Sequence, residues 1–254
     1  MGNTGKRVNA VGNSLEILHL IKSEEGARLS DIATQLELSK STVHSHLNTL
    51  QSYGYITKKG EIYRLGLKFF HVGQHTRNRN DRYQLAKEKT SELAESLNHA
   101  VDFDVETNGK IMVLFHEANE STEVGLKEGD YLHLHTSSTG KAILAELPEK
   151  RVTELLDRER MPKETEYTIT EPDNLREELR ETSERGYAIV DQEWLEGLRA
   201  VGVAVTLPDG SPFGALSAGG PTYRLTTETI ETDVAPKLME TAKELEDEIS
   251  RVVE

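Results

Sequence analysis

Two short helical patterns lie almost directly next to each other in the stretch LSDIATQLELSKSTVHSHLNTLQSYGYI, which covers residues 29–56. The first is predicted to run from an N-cap at Ser30 to about residue 37, and the second from an N-cap at Ser39 to about residue 53. A connection of only three or four residues between two helices is typical of a helix-turn-helix. This spacing constrains the fold of the N-terminal part more than any other feature of the chain.

The second helix has one apolar stripe and one polar face. Val43, Leu47 and Leu50 recur at helical spacing and predict the buried side. The opposite face contains no acidic residue, and a helix that enters the major groove of DNA presents such a face to bases and phosphates. The polar face therefore predicts DNA contacts from Lys40, Ser41, Thr42, His44, Ser45 and Asn48.

The flanking segments complete a winged helix-turn-helix. A preceding helix is predicted to pack beneath the pair through the apolar residues Val11, Leu15, Leu18 and Ile21. Gly54 ends the second helix, and two short strands are predicted over residues 55–57 and 62–65. Lysines stand at the tip between these strands. The basic residues expected to contact the phosphate backbone, besides Lys40, are Lys6, Arg7, Arg28, Lys58 and Lys59.

The charge of the chain is divided between its two parts. Residues 1–82 contain 12 Lys and Arg against 7 Asp and Glu, a net charge of +5. Because the whole chain carries −14, the remaining residues carry −19. The phosphates of DNA attract the first part and repel the second. The charge distribution therefore agrees independently with a DNA-binding N-terminus.

Length and composition bound the rest. A chain of 254 residues suits two domains, predicted as a winged helix-turn-helix at 1–73, a polar linker at 74–82 and a second domain at 83–254. Cysteine is absent, no apolar run reaches the roughly 20 residues of a membrane span, and no secretory signal is evident, so we expect a cytoplasmic protein without a membrane partner. Acidic residues outnumber basic ones by 44 to 30, which indicates adaptation to a salt-rich cytoplasm or an ordinary acidic bacterial protein.

The second domain is predicted to be α+β, with helices around an antiparallel sheet. Asn108-Gly109 and Asp209-Gly210 each separate two strand-like segments, which is a strong signal for a tight hairpin. Helical patterns surround and separate these hairpins. They lie near residues 83–97, 139–147, 149–157 and 173–185, and from about 227 to the C-terminus.

Several motifs together give the chain a resemblance to the IclR family of transcriptional regulators, from about residue 8 to residue 252. They are LSKSTVHSHLNTLQSYGYI and YRLGLKF in the head, and SSTGKAILAELPE, RGYAIVDQEWLEGLRAVGVAV and FGALSAGGPTYRLT in the second domain. The resemblance implies a homodimer or dimer of dimers that binds operator DNA. It also implies a GAF-like second domain that binds a small-molecule effector, which modulates DNA binding.

By motif, the resemblance also suggests the residues that line the effector site. The backbone N–H groups at the start of the TGKA helix would face the ligand, because a helix start suits a carboxylate. The positions carried over are Ser138, Thr139, Gly140, Val190, Asp191, Leu198, Ala200, Ser217 and Gly219. Val190, Ala200 and Gly219 offer no polar side chain, so an apolar, aromatic or larger ligand is favoured, with an organic acid as a further candidate.

Other kinds of function receive less support from the residues. Gly140-Lys141 does not belong to a phosphate loop, because His135 and Ala142 stand where glycine and a hydroxyl residue are required. No enzyme and no cofactor are expected, since the chain has neither a cysteine nor a Gly-x-Ser-x-Gly nucleophile motif. His116, His133 and His135 leave a metal site open, although no metal is assigned. A constitutive DNA-binding or architectural protein with a vestigial ligand domain is the alternative function.

Overall fold

The structure, a computed structural model, describes residues 8–118, 122 and 125–252. The chain divides into two compact units, Met1–Arg79 and Asn80–Glu254. Two of the basic residues expected to contact phosphates, Lys6 and Arg7, lie outside the described residues. Among the described residues, no helix combines the length and the apolarity needed to cross a bilayer.

The first unit is a winged helix-turn-helix. Its three strands form an antiparallel sheet in the order β1-β3-β2. Its core joins α1, the helical pair and the wing through buried residues that include Ile17, Ile32, Val43 and Leu47. The elements are α1 (Asn9–Ser23), β1 (Ala27–Arg28), α2 (Leu29–Gln35), α3 (Lys40–Ser52), β2 (Ile56–Lys59), β3 (Ile62–Leu65) and α4 (Lys68–Asn78).

The N-caps of the helical pair were predicted with mixed success. The Ser39 hydroxyl accepts a hydrogen bond from the Thr42 N–H at 3.1 Å, which confirms Ser39 as the N-cap of α3. The prediction of Ser30 as the N-cap of α2 is wrong, because Arg28 occupies that position. The Ser30 hydroxyl instead donates to the Asp31 carboxylate. The short strand β1 runs directly into α2, so the helix begins two residues earlier in the chain than predicted.

The predicted buried face of α1 is also wrong in part. Val11 and Leu15 are 57% and 52% exposed, whereas Ile17 and Ile21 are the buried residues of this helix. Ile17 and Ile21 are four residues apart and therefore lie one above the other on one face. The apolar spacing thus identified the helix but not the side that packs on the core.

The segment predicted as a polar linker is mostly helical. Helix α4 continues to Asn78, and α5 begins at Asp81 with the Asn80 side chain accepting a hydrogen bond from the Arg82 N–H. The segment contains no proline, and its polar residues are compatible with an exposed helix. Polar composition alone therefore does not interrupt the helices here.

The second unit contains one six-stranded antiparallel sheet in the order β6-β5-β4-β9-β8-β7. Its strands are β4 (Ala100–Thr107), β5 (Lys110–Glu117), β6 (Tyr131–His133), β7 (Ala188–Asp191), β8 (Leu198–Thr206) and β9 (Pro212–Pro221). Its helices are α5 (Asp81–Ser96), α6 (Ser138–Ala145), α7 (Glu149–Glu159), α8 (Pro172–Arg185), α9 (Thr227–Thr229) and α10 (Ala235–Val252), with a π-helical turn at Ile230–Val234. Both predicted hairpins and all the predicted helices are present.

Helices cover both faces of this sheet, and each face has its own core. Helices α5 and α10 pack on one face around Phe103, Leu238 and Leu245. Helix α6 packs on the other face and is backed by α8, with Ile143 and Leu175 in the core between them. The sheet is therefore the middle of three layers, and the start of α6 lies directly on its second face.

Candidate DNA-binding surface and effector cavity

The polar face of α3 is exposed while its apolar face is buried in the head. Val43 and Leu47 are fully buried, which fixes how the helix is rotated about its axis. Thr42 is half-buried at the helix start. The other predicted base-reading residues are exposed to solvent: Lys40, Ser41, His44, Ser45 and Asn48.

Hydrogen bonds within α3 arrange this face. The amide nitrogen of Asn48 lies 3.3 Å from Nδ1 of His44, so the two side chains stand together one turn apart. The Ser45 hydroxyl donates to the Ser41 carbonyl and keeps its oxygen lone pairs for other donors. His46 does not belong to this face, because its Nδ1 lies 2.8 Å from the Ser14 hydroxyl of α1. His46 therefore holds α1 against α3.

The wing presents a basic tip. Lys58 extends over the Tyr63 ring, with its nitrogen 5.1 Å from the ring centroid and 3.8 Å from a Glu61 carboxylate oxygen. Lys59 is exposed in the same strand, and Arg28 is exposed at the end of β1. The aromatic contact orients Lys58 without neutralising it.

A cavity lies between the second face of the sheet and the start of α6, and it encloses about 530 Å³ including its open mouth. Seven of the residues predicted for the effector site line it, and so do several that were not predicted. The predicted ones are Ser138, Thr139, Val190, Leu198, Ala200, Ser217 and Gly219. The others include Asp102, Asp104, Leu126, Leu132, Thr136, Ser137, Trp194 and Leu195.

Two glycines allow α6 to begin against the sheet. A side chain on Gly202 of β8 would meet the Ser138 carbonyl, so only glycine lets the helix start approach this closely. A side chain on Gly140 would collide with the Leu134 carbonyl. The Gly140 N–H donates to the N-cap hydroxyl of Ser137, and Gly140 is not among the cavity residues. The structure therefore gives Gly140 a packing role where ligand contact was predicted.

Asp191 also departs from its prediction. Successive residues of a strand point to opposite faces, and Val190 is the β7 residue that lines the cavity. Asp191 is not among the cavity residues; it is paired in register with Arg199 of β8, which does line the cavity, and forms a salt bridge with its guanidinium group. Arg199 also donates to the Leu225 carbonyl. This ion pair therefore joins the edge strand β7 to β8.

Two carboxyl groups stand on the cavity floor, because Asp102 and Asp104 are alternate residues of β4. Asp102 lies 2.6 Å from Nδ1 of His116 and accepts a hydrogen bond from the Ser217 hydroxyl at 3.3 Å. Asp104 accepts a hydrogen bond from the Thr139 hydroxyl of α6 at 2.7 Å through Oδ2. Its other oxygen, Oδ1, is buried and has no hydrogen-bond partner among the described residues.

Burial raises the pKa of Asp104 well above its usual value, and the neighbouring Asp102 raises it further. The hydrogen bond from Thr139 acts in the opposite direction but is the smaller effect. Asp104 is therefore harder to ionise than an exposed aspartate.

A buried ion pair connects α6 to the segment between β7 and β8. Lys141 is fully buried and donates to the Glu193 carboxylate and, at 3.4 Å, to the Ile189 carbonyl. Burial raises the pKa of Glu193, and the attraction of Lys141 lowers it in part. Glu193 directly precedes Trp194 and Leu195, so the pair positions two apolar walls of the cavity relative to α6.

The histidines considered for metal binding have other partners. His116 is bound to Asp102, and Nε2 of His135 lies 2.9 Å from the Pro162 carbonyl. His133 and His135 would share one face only if a strand covered residues 131–136, but β6 ends at His133. Within the described part of the chain, no three possible ligands converge on one point.

The sequence contained a signal for the missed carboxyl groups. In VDFDVET the aspartates alternate with Val101, Phe103 and Val105, which places Asp102 and Asp104 on one face of a strand between two other strands. A buried acidic face in a central strand is unusual and indicates a special environment. The walls formed by Leu126, Leu132 and Trp194 had no comparable signal, because each lies in or beside a loop.

The fold and these two sites define a transcription regulator with a helix-turn-helix and a separate effector-binding domain. Residues 10–60 match the family described as "IclR helix-turn-helix domain", and residues 74–247 match "Bacterial transcriptional regulator IclR C-terminal". The chain belongs to the IclR family of transcriptional regulators.

Individual relatives agree with this assignment. The chain is 34% identical to the "Probable HTH-type transcriptional regulator ArcR" of Halobacterium salinarum, over 95% of this chain and 94% of that protein. It resembles the crystal structure of the Thermotoga maritima IclR with a TM-score of 0.78 and 26% identity, over 96% of this chain and 100% of that one. An IclR homologue from Microbacterium hydrocarbonoxydans, complexed with 4-hydroxybenzoate, shares the fold with a TM-score of 0.80 and 20% identity, over 95% and 99% of the two chains.

Proposed function

We propose that this protein is a cytoplasmic, sequence-specific DNA-binding regulator whose affinity for its operator changes when a small molecule occupies the cavity of the second unit. The observation that carries the DNA-binding part is the acid-free, exposed face of α3 on a winged helix-turn-helix. Ser41, Thr42, His44, Ser45 and Asn48 supply donors and acceptors for base edges and nearby phosphates. The basic residues that position the DNA backbone are Lys6, Arg7, Arg28, Lys40, Lys58 and Lys59.

The cavity supports the effector part of this proposal. It is mainly apolar, and it has a helix N-terminus and two carboxyl groups at one side. A constitutive DNA-binding protein with a vestigial domain would be expected to fill this space with its own side chains. Instead, the oxygens Asp104 Oδ1 and Thr136 Oγ1 are buried there, and the described part of the chain offers them no partner. Ligand-dependent regulation therefore accounts for more of the site than constitutive binding does.

In this proposal the protein binds DNA as a homodimer or as a dimer of such dimers. The head leaves large apolar side chains exposed on and around two helices, among them Val11 and Leu15 of α1 and Phe70 of α4. Leu67, which precedes α4, is 86% exposed. Exposed apolar groups of this kind are suited to contact with a second copy. Two heads related by a twofold axis would read a palindromic site.

The experiment that tests this function is selection of bound duplexes from a random DNA pool by the full chain, at several KCl concentrations, with sequencing of the survivors. We expect enrichment of a palindromic site whose half-site spacing reports the distance between two heads. A palindrome would support both sequence-specific binding and the dimer. Failure to enrich any sequence at any salt concentration, with or without metabolite mixtures, would contradict the proposed function.

A further inference from the structure

The cavity holds two buried oxygens that nothing in the described chain satisfies. Asp104 Oδ1 and Thr136 Oγ1 both belong to residues that line it, and both residues are almost completely buried. A buried polar atom without a partner is costly, and such atoms in native structures are usually explained by water, an ion or a ligand. These two oxygens therefore indicate where a ligand's polar groups are received.

The partner that Asp104 lacks is a donor, and the surrounding charges favour a cationic one. Asp102 lies on the same strand face and adds a second carboxyl group. The basic side chains nearby have partners of their own. His116 of β5 contacts Asp102, Lys141 of α6 contacts Glu193, and Arg199 of β8 contacts Asp191. Arg199 also lines the cavity, and within the described part of the chain its buried Nε has no hydrogen-bond partner. Asp104 Oδ1 has no hydrogen bond from any of these three side chains.

An anion-binding position adjoins this acceptor. The Thr139 hydroxyl that binds Asp104 belongs to the first turn of α6. The Gly140 and Lys141 N–H groups of this turn are bonded to Ser137, which leaves the N–H groups of Ser138 and Thr139 without a partner in the helix. Such a helix start attracts a carboxylate. Thr136 lies one residue before the N-cap and also lines the cavity, so its hydroxyl can donate a hydrogen bond to a ligand there. A site for an anion and a site for a cation are thus separated by one threonine side chain.

Most of the remaining lining residues are apolar, with Arg199 as the charged exception. Trp194, Leu195 and Leu198 enclose one side, and Leu126 and Leu132 contribute to the lining as well. A ligand that satisfies the whole cavity therefore carries an anion and a cation close together and an apolar group beyond them. This pattern of three groups is that of an α-amino acid with an apolar side chain.

We propose that the effector is an apolar α-amino acid, bound with its ammonium group on Asp104, its carboxylate at the start of α6, and its side chain against Trp194, Leu195 and Leu198. This inference deepens the proposed function and rests on it, because it assigns the ligand of the same cavity. It makes Asp104 the residue that distinguishes amino acids from other organic acids.

The proposal has a consequence for protons. Burial and Asp102 raise the pKa of Asp104, so its carboxyl group in the empty cavity binds a proton more readily than an exposed aspartate does. An ammonium group favours the ionised carboxylate, and the displaced proton leaves to solvent. A neutral hydroxyl group in the same place would not cause this release. Proton release on binding therefore separates an ammonium ligand from a hydroxyl ligand.

Isothermal titration calorimetry on the full chain provides the test, with two sets of three acids that differ in a single group. One set is L-leucine, its 2-hydroxy analogue and 4-methylpentanoate, and the other is L-phenylalanine, 3-phenyllactate and 3-phenylpropanoate. Each titration is repeated in two buffers of different ionisation enthalpy, which gives the number of protons released. The variants are Asp104→Asn and, as a control that removes an exposed carboxylate from the β8–β9 turn, Asp209→Asn.

At least one of the two amino acids is expected to bind about tenfold or more tightly than its hydroxy and unsubstituted analogues, with proton release, because an ion pair strengthens a hydrogen bond. Asp104→Asn should abolish that preference and the proton release, and Asp209→Asn should keep both. Equal or tighter binding of the other acids, an unaffected Asp104→Asn variant, or no binding by any of the six would overturn the amino-acid assignment. The palindrome selection is independent of these titrations, so failure here leaves sequence-specific DNA binding to be judged on its own result.

Discussion

Asp104 is an ionisable residue whose environment opposes its ionisation. Its carboxyl group is buried beside a second carboxyl group, and both effects raise its pKa. An exposed aspartate in the unfolded chain loses its proton near pH 4. Between that pH and the raised pKa of the folded protein, only the unfolded chain gives up the proton. Ionisation therefore favours unfolding throughout this window.

Replacing Asp104 with asparagine removes this penalty, so Asp104→Asn should raise the free energy of unfolding at neutral pH. The advantage over the natural chain should be absent at low pH, where Asp104 is protonated in both the folded and the unfolded chain. It should grow by about 1.4 kcal/mol per pH unit between the unfolded and the folded pKa, and then stay constant. Urea unfolding at a series of pH values and one fixed KCl concentration measures it.

Asp209→Asn serves as the control of opposite sign. Hydrogen bonds from Ser211 lower the pKa of this exposed carboxylate, so its ionised form favours the folded chain. At low pH the control variant and the natural chain should be equally stable. As the pH rises through the acid range, the control variant should become slightly less stable than the natural chain. An Asp104→Asn advantage that does not change with pH would contradict the assignment of a protonated Asp104.

Single residues were the part of the site that the sequence predicted least well. Motif positions identified Ser138, Thr139 and Ser217 as candidates, and these residues line the cavity. Gly140 and Asp191 carry equally specific motifs, yet one packs on Leu134 and the other pairs with Arg199. A motif shows that a position is constrained, but packing and ligand contact constrain a residue in the same way.

At the scale of secondary-structure elements, α3 and the wing should contribute differently to DNA binding. Replacing Lys58 and Lys59 together with glutamine removes two positive charges that we propose to contact phosphates without reading sequence. We expect similarly weaker binding to the selected duplex and to a scrambled one, and a smaller dependence of affinity on salt. His44→Ala should instead reduce the difference between the two duplexes, by about 1–3 kcal/mol if His44 reads a base pair.

Fluorescence anisotropy with the two labelled duplexes measures both effects. A matched control for charge is the double variant Lys150→Gln and Lys163→Gln, which removes two exposed lysines from the second unit. For α3, the control is His46→Gln, whose side chain faces Ser14 of α1. Loss of sequence preference in the wing variant, with none in His44→Ala, would show that the recognition surface is assigned to the wrong element.

Elements were more predictable than residues because their signals repeat along the chain. The stripe of Val43 and Leu47, the cap Ser39 and the turn Asn108-Gly109 each depend on local geometry, and the structure has each as predicted. The helical structure within the predicted linker was missed because a polar helix continues where no helix-breaking residue interrupts it. The next helix begins at the Asn80 cap, which the sequence analysis did not identify. The buried face of α1 was predicted wrongly in part because two apolar stripes lie side by side on this helix. The elements that pack against α1 determine which of the two stripes is buried.

The whole molecule has a net charge of −14, because residues 1–82 carry +5 and the residues beyond them carry −19. This charge is the property that most affects its stability at different salt concentrations. At low ionic strength, like charges repel over tens of ångströms, whereas at 0.1 M salt the screening length is about 10 Å. Exposed ion pairs such as Arg180 with Glu177 and Glu184 offset little of this repulsion. We therefore propose that the fold requires a salt-rich medium.

The midpoint of thermal unfolding should rise as KCl increases from dilute buffer towards molar concentration, and the chain should lose structure in dilute buffer. The variant with Glu88, Glu181 and Glu240 all replaced by glutamine, which removes three exposed carboxylates from three helices, should reach the same midpoint at lower KCl. Circular dichroism at each salt concentration measures both. Full stability of the natural chain in dilute buffer would exclude salt dependence. An unchanged midpoint in the triple variant would instead show that the requirement arises from ion binding or hydration and not from the repulsion between carboxylates.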